Sequence, residues 1–313
     1  MQTRTPAILA VVVLCGTVHA GESEASGSER AVEAAPATSE DAGASDLTKL
    51  SLENLRLNAG VRDDYYDTFH NTVNPRAGLI YSPVGGTTLK LLYGRAFRAP
   101  NAFELNYDDG GSASKSNPDL DPETINTYEL VLEQVLIKDL RLVASGFHYD
   151  IDNLIVQTID PGDGLIVYQN VEEVTSSGLE VELQGKLPEG LTGRISYAFQ
   201  RTKDKQTDEL LTNSPEHMAK LSLIVPLHED ELFAGVELQY LSSRKTLAER
   251  HTQDVLLANL TVFSQKLMEG LEVSASVYNL FNWKYGDPGS AEHRQDIIEQ
   301  DGISFRIKLT YSF

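Results

Sequence analysis

Residues able to do chemistry are sparse in this 313-residue chain, and few stand at spacings that chemistry requires. Three histidines stand near glutamates: His217 beside Glu216, His251 two residues after Glu249, and His293 beside Glu292. A metal ion would need three or four such side chains to converge at about 2 Å. No pair has the helical spacing that builds such a site, and a metal role is not expected. "DDGG" (108–111) and "DPGDG" (160–164) hold the residue types of calcium loops. Neither matches the EF-hand pattern, and both read as turns. There is no G-x-S-x-G elbow, no phosphate loop, and no Ser, His and acid cluster that stands out, so the chain does not read as an enzyme. Cys15 is the single cysteine, which rules out an intrachain disulfide or a thiolate zinc site. No cofactor is expected. What remains is "GRAFRAPNAFELNY" (94–107), where Arg98 and Tyr107 could grip an anionic ligand. Arg98 reads better as a rim arginine whose stem packs while its head reaches water.

The elements that must carry these residues are strands. In "GISFRIKLTYSF" (302–313), Ile303, Phe305, Ile307, Leu309, Tyr311 and Phe313 fall on one face, and Ser304, Arg306, Lys308, Thr310 and Ser312 on the other. "GLEVELQGKL", "LTGRISYAF" and "LEVSASV" repeat the alternation. Roughly twelve such segments follow residue 56, each near the 9–11 residues of a tilted transmembrane strand. Tight connections (82–87, 137–140, 187–191, 226–231, 266–270) take turns with long polar ones (98–123, 158–165, 201–214, 243–254, 284–302). In an antiparallel up-and-down meander this gathers the short turns at one end and the long loops at the other, as in outer-membrane β-barrels. Tyr81, Tyr240, Trp283, Tyr285, Tyr311 and Phe313 lie near strand ends, where aromatic rings with polar tips suit a membrane boundary. A secreted antiparallel protein with one solvated face explains the alternation equally well, but the one-ended loops and the aromatic strand ends less readily. The expected fold is therefore all-β, a transmembrane barrel with lipid outside and a wet lumen carrying charges of both signs.

Residues 1–20 read as a signal peptide: Arg4, an apolar run, and Val18-His19-Ala20. Residues 21–45 are Ala, Ser, Glu and Gly, a composition expected to stay disordered. "DLTKLSLENL" (46–55) has the pattern of one short amphipathic helical turn. The formal net charge of −20 argues against non-specific nucleic-acid binding.

Seven blocks in order, "VNPRAGLIYSP" (73–83), "TLKLLYGRAFRAPNAFEL" (88–105), "NPDLDPETINTYEL" (117–130), "DIDNLI" (150–155), "NVEEVTSSGLEVEL" (170–183), "NSPEHMAKLSL" (213–223) and "SVYNLFNWKYGDP" (276–288), resemble the C-terminal barrel region of TonB-dependent outer-membrane receptors. The resemblance covers about residues 56–313 and implies the C-terminal part of a barrel of about 22 strands. It implies uptake of a scarce ligand such as a ferric siderophore. Outer-membrane lipid, the barrel-insertion machinery and TonB are the implied partners. The alternating strand through Leu309, Tyr311 and Phe313 would be the assembly signal. Residues 46–55 resemble the leader ahead of the family's plug domain, so plug and early strands would be missing around Leu55–Arg56, and no TonB box is evident. Such a plugless form could instead be a passive or vestigial barrel. Both chain ends are expected on the periplasmic side.

Overall fold

A computed structural model describes residues 42–66, 70–228, 231–268, 270–290 and 293–312. The signal peptide, most of the Ala/Ser-rich segment and Phe313 lie outside them. The chain folds into one meander whose strands are β1 (Ala42–Ser51), β2 (Leu55–Tyr66), β3 (His70–Tyr81), β4 (Thr87–Arg98), β5 (Glu123–Ile137), β6 (Leu140–Ile159) and β7 (Ile166–Lys186). It continues with β8 (Thr192–Asp204), β9 (His217–His228), β10 (Leu232–Leu241), β11 (Val255–Met268) and β12 (Leu271–Tyr278). β13 (Gly286–Pro288) and β14 (Ile297–Glu299) pair only with each other, and β15 (Ser304–Tyr311) returns to β12. A five-residue helix, α1 (Ala102–Asn106), lies in the connection after β4. The main sheet holds 13 strands, each antiparallel to the next in sequence order, with β1 and β15 at its two ends.

Register fixes the two faces, because residues opposite one another in a ladder point the same way. Leu89, Leu132, Ala144, Val181, Tyr197, Ala219, Tyr240 and Leu256 stand opposite one another in turn from β4 to β11. The adjoining row on the reverse face is Thr88, Glu133, Val143, Glu182, Ser196, Lys220 and Gln239. The first row is mostly apolar and the second mostly polar or charged, so the first is the outer face of the wall and the second the inner one. On the inner face Glu133 joins Lys90 on β4 to Arg141 on β6, the latter at 2.8 Å. On β15 the outward Phe305, Ile307 and Leu309 are 72%, 75% and 68% exposed. Leaving such side chains in water forfeits about 1.5–3 kcal/mol each, so this face calls for an apolar medium.

The alternation therefore gives the expected architecture, with two differences. "DLTKLSLENL" forms no helical turn: residues 42–51 are strand β1, paired to β2 from Ala42 opposite Tyr65 to Ser51 opposite Arg56. The turn closes through the Leu52 N–H bond to Leu55 O at 2.8 Å. A helical turn leaves its end groups unpaired, whereas the ladder satisfies them along its whole length. The hairpin also runs through Leu55–Arg56 without a break, and residues 42–45 share it. From β2 onward the main sheet holds the roughly twelve strands expected after residue 56; β1 adds a thirteenth, so β1 and β15 run in the same direction. Ala42 thus lies at the long-loop end and Tyr311 at the short-turn end.

The small apolar core sits at the long-loop end. Ile151, Leu154, Val156, Val174 and Leu211 cluster there, with Ile125 packed on them. They come from the upper halves of β6 and β7, which outrun their neighbours, and from the loop after β8. This core gives the loops a firm base.

Candidate ligand-facing site

The residue singled out at the mouth is already engaged. Arg98 ends β4, and its Nε and Nη2 donate to the two Glu123 oxygens at 2.6 and 2.7 Å. Its Nη1 donates to Glu104 at 2.9 and 3.0 Å. Glu104 is itself held by a capping box with Asn101, the N-cap of α1. Glu123 also accepts the Ile155 N–H at 2.8 Å. One cation faces two carboxylates, so the cluster does not attract an anion; it pins α1 and β5 to the rim. Tyr107 belongs to a different group, stacked on Phe103 with centroids 4.3 Å apart, and Phe103 meets Tyr168 edge-on at 6.2 Å. Phe103 and Tyr107 remain exposed as a stacked pair.

The long loops are stitched together by ions. Lys115 donates to Asp160 and, at 2.8 Å, to Asp163, tying the loop after β4 to the β6–β7 tip. The hydrogen bond that Lys115 donates to Asp160 raises the pKa of its ammonium, and Lys115 in turn lowers both carboxyls. "DPGDG" is therefore an anchored turn filled by a lysine. In "DDGG", Asp109 accepts backbone N–H bonds from Ser112, Ala113 and Ser114 and is lowered by them. Arg244 donates to Asn213 at 2.9 Å and also to Asp287, and Lys245 reaches Glu209 at 2.8 Å. These contacts join three successive loops.

Asp296 closes the last of these joints. It accepts from Thr246 Oγ1 at 2.8 Å, the Ala248 N–H at 3.1 Å and Arg250 Nε at 2.9 Å. Burial pushes this carboxyl up, but the bonds from Thr246, Ala248 and Arg250 outweigh it and hold it below the ordinary carboxylate range. A lowered folded value means that the joint is fully stabilising above about pH 4 and weakens as pH falls toward the folded value. Asp296→Asn should cost about 1–3 kcal/mol locally. Hydrogen exchange at Ala248 and Arg250 should accelerate accordingly, while exchange in β5 and β6 stays unchanged. Equal protection in both proteins would refute the joint.

The histidines do not converge. His217 Nδ1 shares a hydrogen bond with Tyr197 Oη at 2.8 Å, His293 Nδ1 accepts the Ser290 N–H at 3.1 Å, and the backbone of His251 forms an isolated β-bridge with that of Lys245. Among the described residues no group of three or more His, Cys, Asp or Glu could hold a metal ion. One Ser, His and acid group does come together where none stood out in sequence: Ser177, His148 and Asp150. A cleft of about 350 Å³ opens between the β6–β7 tip and the last two long loops, lined by Ile159, Ile166, Leu247 and Arg294. Asp296, Arg244 and Lys115 carry no mark in the sequence, because loops lack the periodicity that betrays contacts in strands.

Comparison with known proteins agrees with this geometry. A family model described as "TonB dependent receptor-like, beta-barrel" matches residues 32–280. Heme/hemopexin utilization protein C of Haemophilus influenzae (strain 86-028NP) is 25% identical over 299 residues, covering 83% of this chain and 41% of the relative. The ferric enterobactin receptor of Pseudomonas aeruginosa is 25% identical over 303 residues, covering 82% and 40%. A solved double mutant of the P. aeruginosa ferric enterobactin receptor superposes with a TM-score of 0.72 at 21% identity, over 87% of this chain and 44% of that one. The ferric-catecholate import receptor Fiu of E. coli gives 0.67 at 20% identity, covering 87% and 44%. At such identities the solved structures speak for the fold. The chain spans about two fifths of the length of the curated relatives it matches.

Proposed function

Because this chain belongs to the TonB-dependent receptor family, we propose that it supplies barrel wall and outer loops to an outer-membrane receptor that takes up a scarce ferric ligand. The observation carrying this reading is the two-sided sheet with its long loops gathered and ion-stitched at one end. An apolar outer face and a charged inner face are what a wall between lipid and a wet lumen requires. Long loops held in fixed relation present a surface that does not have to be ordered anew on each encounter. The relatives' names point to haem and ferric catecholates, and the exposed Phe103–Tyr107 stack is suited to flat aromatic ligands of that kind.

Energised uptake would draw on TonB, the partner that family membership implies. Leu309, Tyr311 and Phe313 would serve as the signal read by the barrel-insertion machinery, and the outer membrane would be the destination. Arg98 has a structural part in this reading, holding the rim to which Tyr107 is attached.

The test is binding of radio-iron-labelled ferric catecholate and of haemin to outer membranes containing the chain. Saturable binding of either, weakened at least tenfold by Phe103→Ala with Tyr107→Ala, is the expected result. Passive leakage of small solutes from reconstituted vesicles, without saturable binding of either ligand, would overturn the receptor reading in favour of a passive pore. The chain should also sediment with outer membranes, and removal of Phe313 should reduce that fraction.

A further inference from the structure

The outward face of β6 and β7 carries a group that wall-building does not need. His148 and Ser177 stand opposite each other in the ladder, and Ser177 Oγ lies 2.7 Å from His148 Nδ1. On the other side of the ring, Asp150 Oδ2 lies 3.4 Å from His148 Nε2. Asp150 is steadied in turn by Lys205 Nζ at 3.3 Å. A carboxylate on Nε2 favours the tautomer with its proton there, which leaves the Nδ1 lone pair for the Ser177 hydroxyl. That is the arrangement that activates a serine: nucleophile, base, and a third group orienting the base. Arg201 stands opposite Ser177 on β8, on the same outward face, with its Nε bound to Glu216 at 2.6 Å.

Position gives the group its substrate. Counted from the short-turn ends of their strands, Leu140 and Lys186, His148 and Ser177 fall about nine residues along, the length a tilted strand needs to cross the hydrocarbon layer. The row just toward the membrane is apolar: Leu91, Leu130, Gly146, Leu179 and Phe199. Tyr128, whose ring centroid is 6.3 Å from that of His148, is the amphipathic type found at the lipid boundary. Both His148 and Ser177 are exposed. The group therefore lies outside the barrel, at the depth where acyl chains meet their ester carbonyls.

We propose that Ser177, His148 and Asp150 form an esterase centre on the lipid-facing side of the wall, acting on acyl esters of long-chain lipids. Ser177 Oγ bonds to the ester carbonyl carbon as its proton passes to His148 Nδ1. The carbon–oxygen bond to the lipid alcohol then breaks, and the alcohol leaves with that proton. Water attacks the resulting acyl-serine, giving its proton to His148, which returns it to Ser177 as the fatty acid departs. Asp150 holds the imidazole and offsets its charge when protonated, and Arg201 faces the negative charge developing on the carbonyl oxygen. The reaction shares the membrane placement of the wall but makes no use of a ferric ligand, so failure of either reading leaves the other standing.

The experiment uses the folded chain in detergent micelles with an alkyl fluorophosphonate and a long-chain p-nitrophenyl ester. Label should appear on the peptide bearing Ser177, fall to background in Ser177→Ala, and drop at least tenfold in His148→Gln. Ester hydrolysis should follow the same order, and unheated samples of each variant should keep the gel mobility of the folded unsubstituted chain. Ser177→Cys gives a second readout that keeps a nucleophile in place. Its alkylation by iodoacetamide should be at least tenfold faster with His148 than with His148→Gln. Labelling or hydrolysis that is undiminished in Ser177→Ala, or alkylation insensitive to His148, would overturn the proposal.

Discussion

Arginine in place of Leu130 should destabilise the lipid-inserted chain by about 2–4 kcal/mol, whereas arginine in place of Ser145 should cost less than about 1 kcal/mol. The two sites are on neighbouring strands and one ladder position apart, since Leu130 stands opposite Gly146 and Val131 opposite Ser145. Their faces differ. Leu130 is 58% exposed and continues the outward row from Leu91 to Leu179. A guanidinium there must stay in hydrocarbon or drag water inward. Ser145 faces the lumen, opposite Glu180 on β7, where a new cation finds water and a carboxylate. Urea unfolding from vesicles, followed by the emission of the single tryptophan, Trp283, measures both costs. Equal costs at the two sites would mean that the outer face does not meet lipid.

That contrast rests on the feature most legible in the sequence. "LEVSASV" and "GISFRIKLTYSF" alternate without exception, and the structure pairs them residue for residue, Val273 with Leu309, Ala275 with Ile307, Val277 with Phe305. A period of two survives because each side of the sheet meets one uniform medium. β1 was not legible, because its segment carries a pattern that a helical turn could also use and only the presence of β2 decides between them. β13 and β14 are three residues each, too short to show any period.

The aromatic residues divide along the same line. Tyr81, Tyr240 and Tyr311 do sit at or near strand ends, but Trp283 and Tyr285 belong to the last long loop. The mouth was the least legible part. Arg98 has the same side chain whether it awaits a ligand or is already bound. Only the fold brings Glu123, 25 positions away, against it. The same holds for Ser177, which is 29 positions from His148 and reaches it only through the register of β6 with β7.

Register also makes one glycine indispensable and leaves its neighbour replaceable. Gly178 lies opposite Phe147 and Gln200 on the inner face. A Cβ there would fall 2.4 Å from the Phe199 carbonyl oxygen and 2.5 Å from Phe147 Cζ. The ring cannot simply swing aside, because Phe147 stacks on Tyr149 at 4.7 Å and the Tyr149 hydroxyl is held by Glu129 at 3.1 Å. Yielding of the ring would not relieve the backbone oxygen in any case, so the β7–β8 ladder must distort. Gly178→Ala should therefore cost about 1–3 kcal/mol or more. Gly146, on β6 and the outward face, offers the matched comparison: a Cβ there meets nothing closer than the Gly178 oxygen at 4.0 Å. Gly146→Ala should be neutral or should stabilise by about 0.4–1 kcal/mol, since the unfolded chain loses freedom and the folded one loses nothing. Unfolding midpoints in urea separate the two. A Gly178→Ala protein as stable as Gly146→Ala would show that the inner face is open at this level and that Phe147 does not cover the β7 backbone.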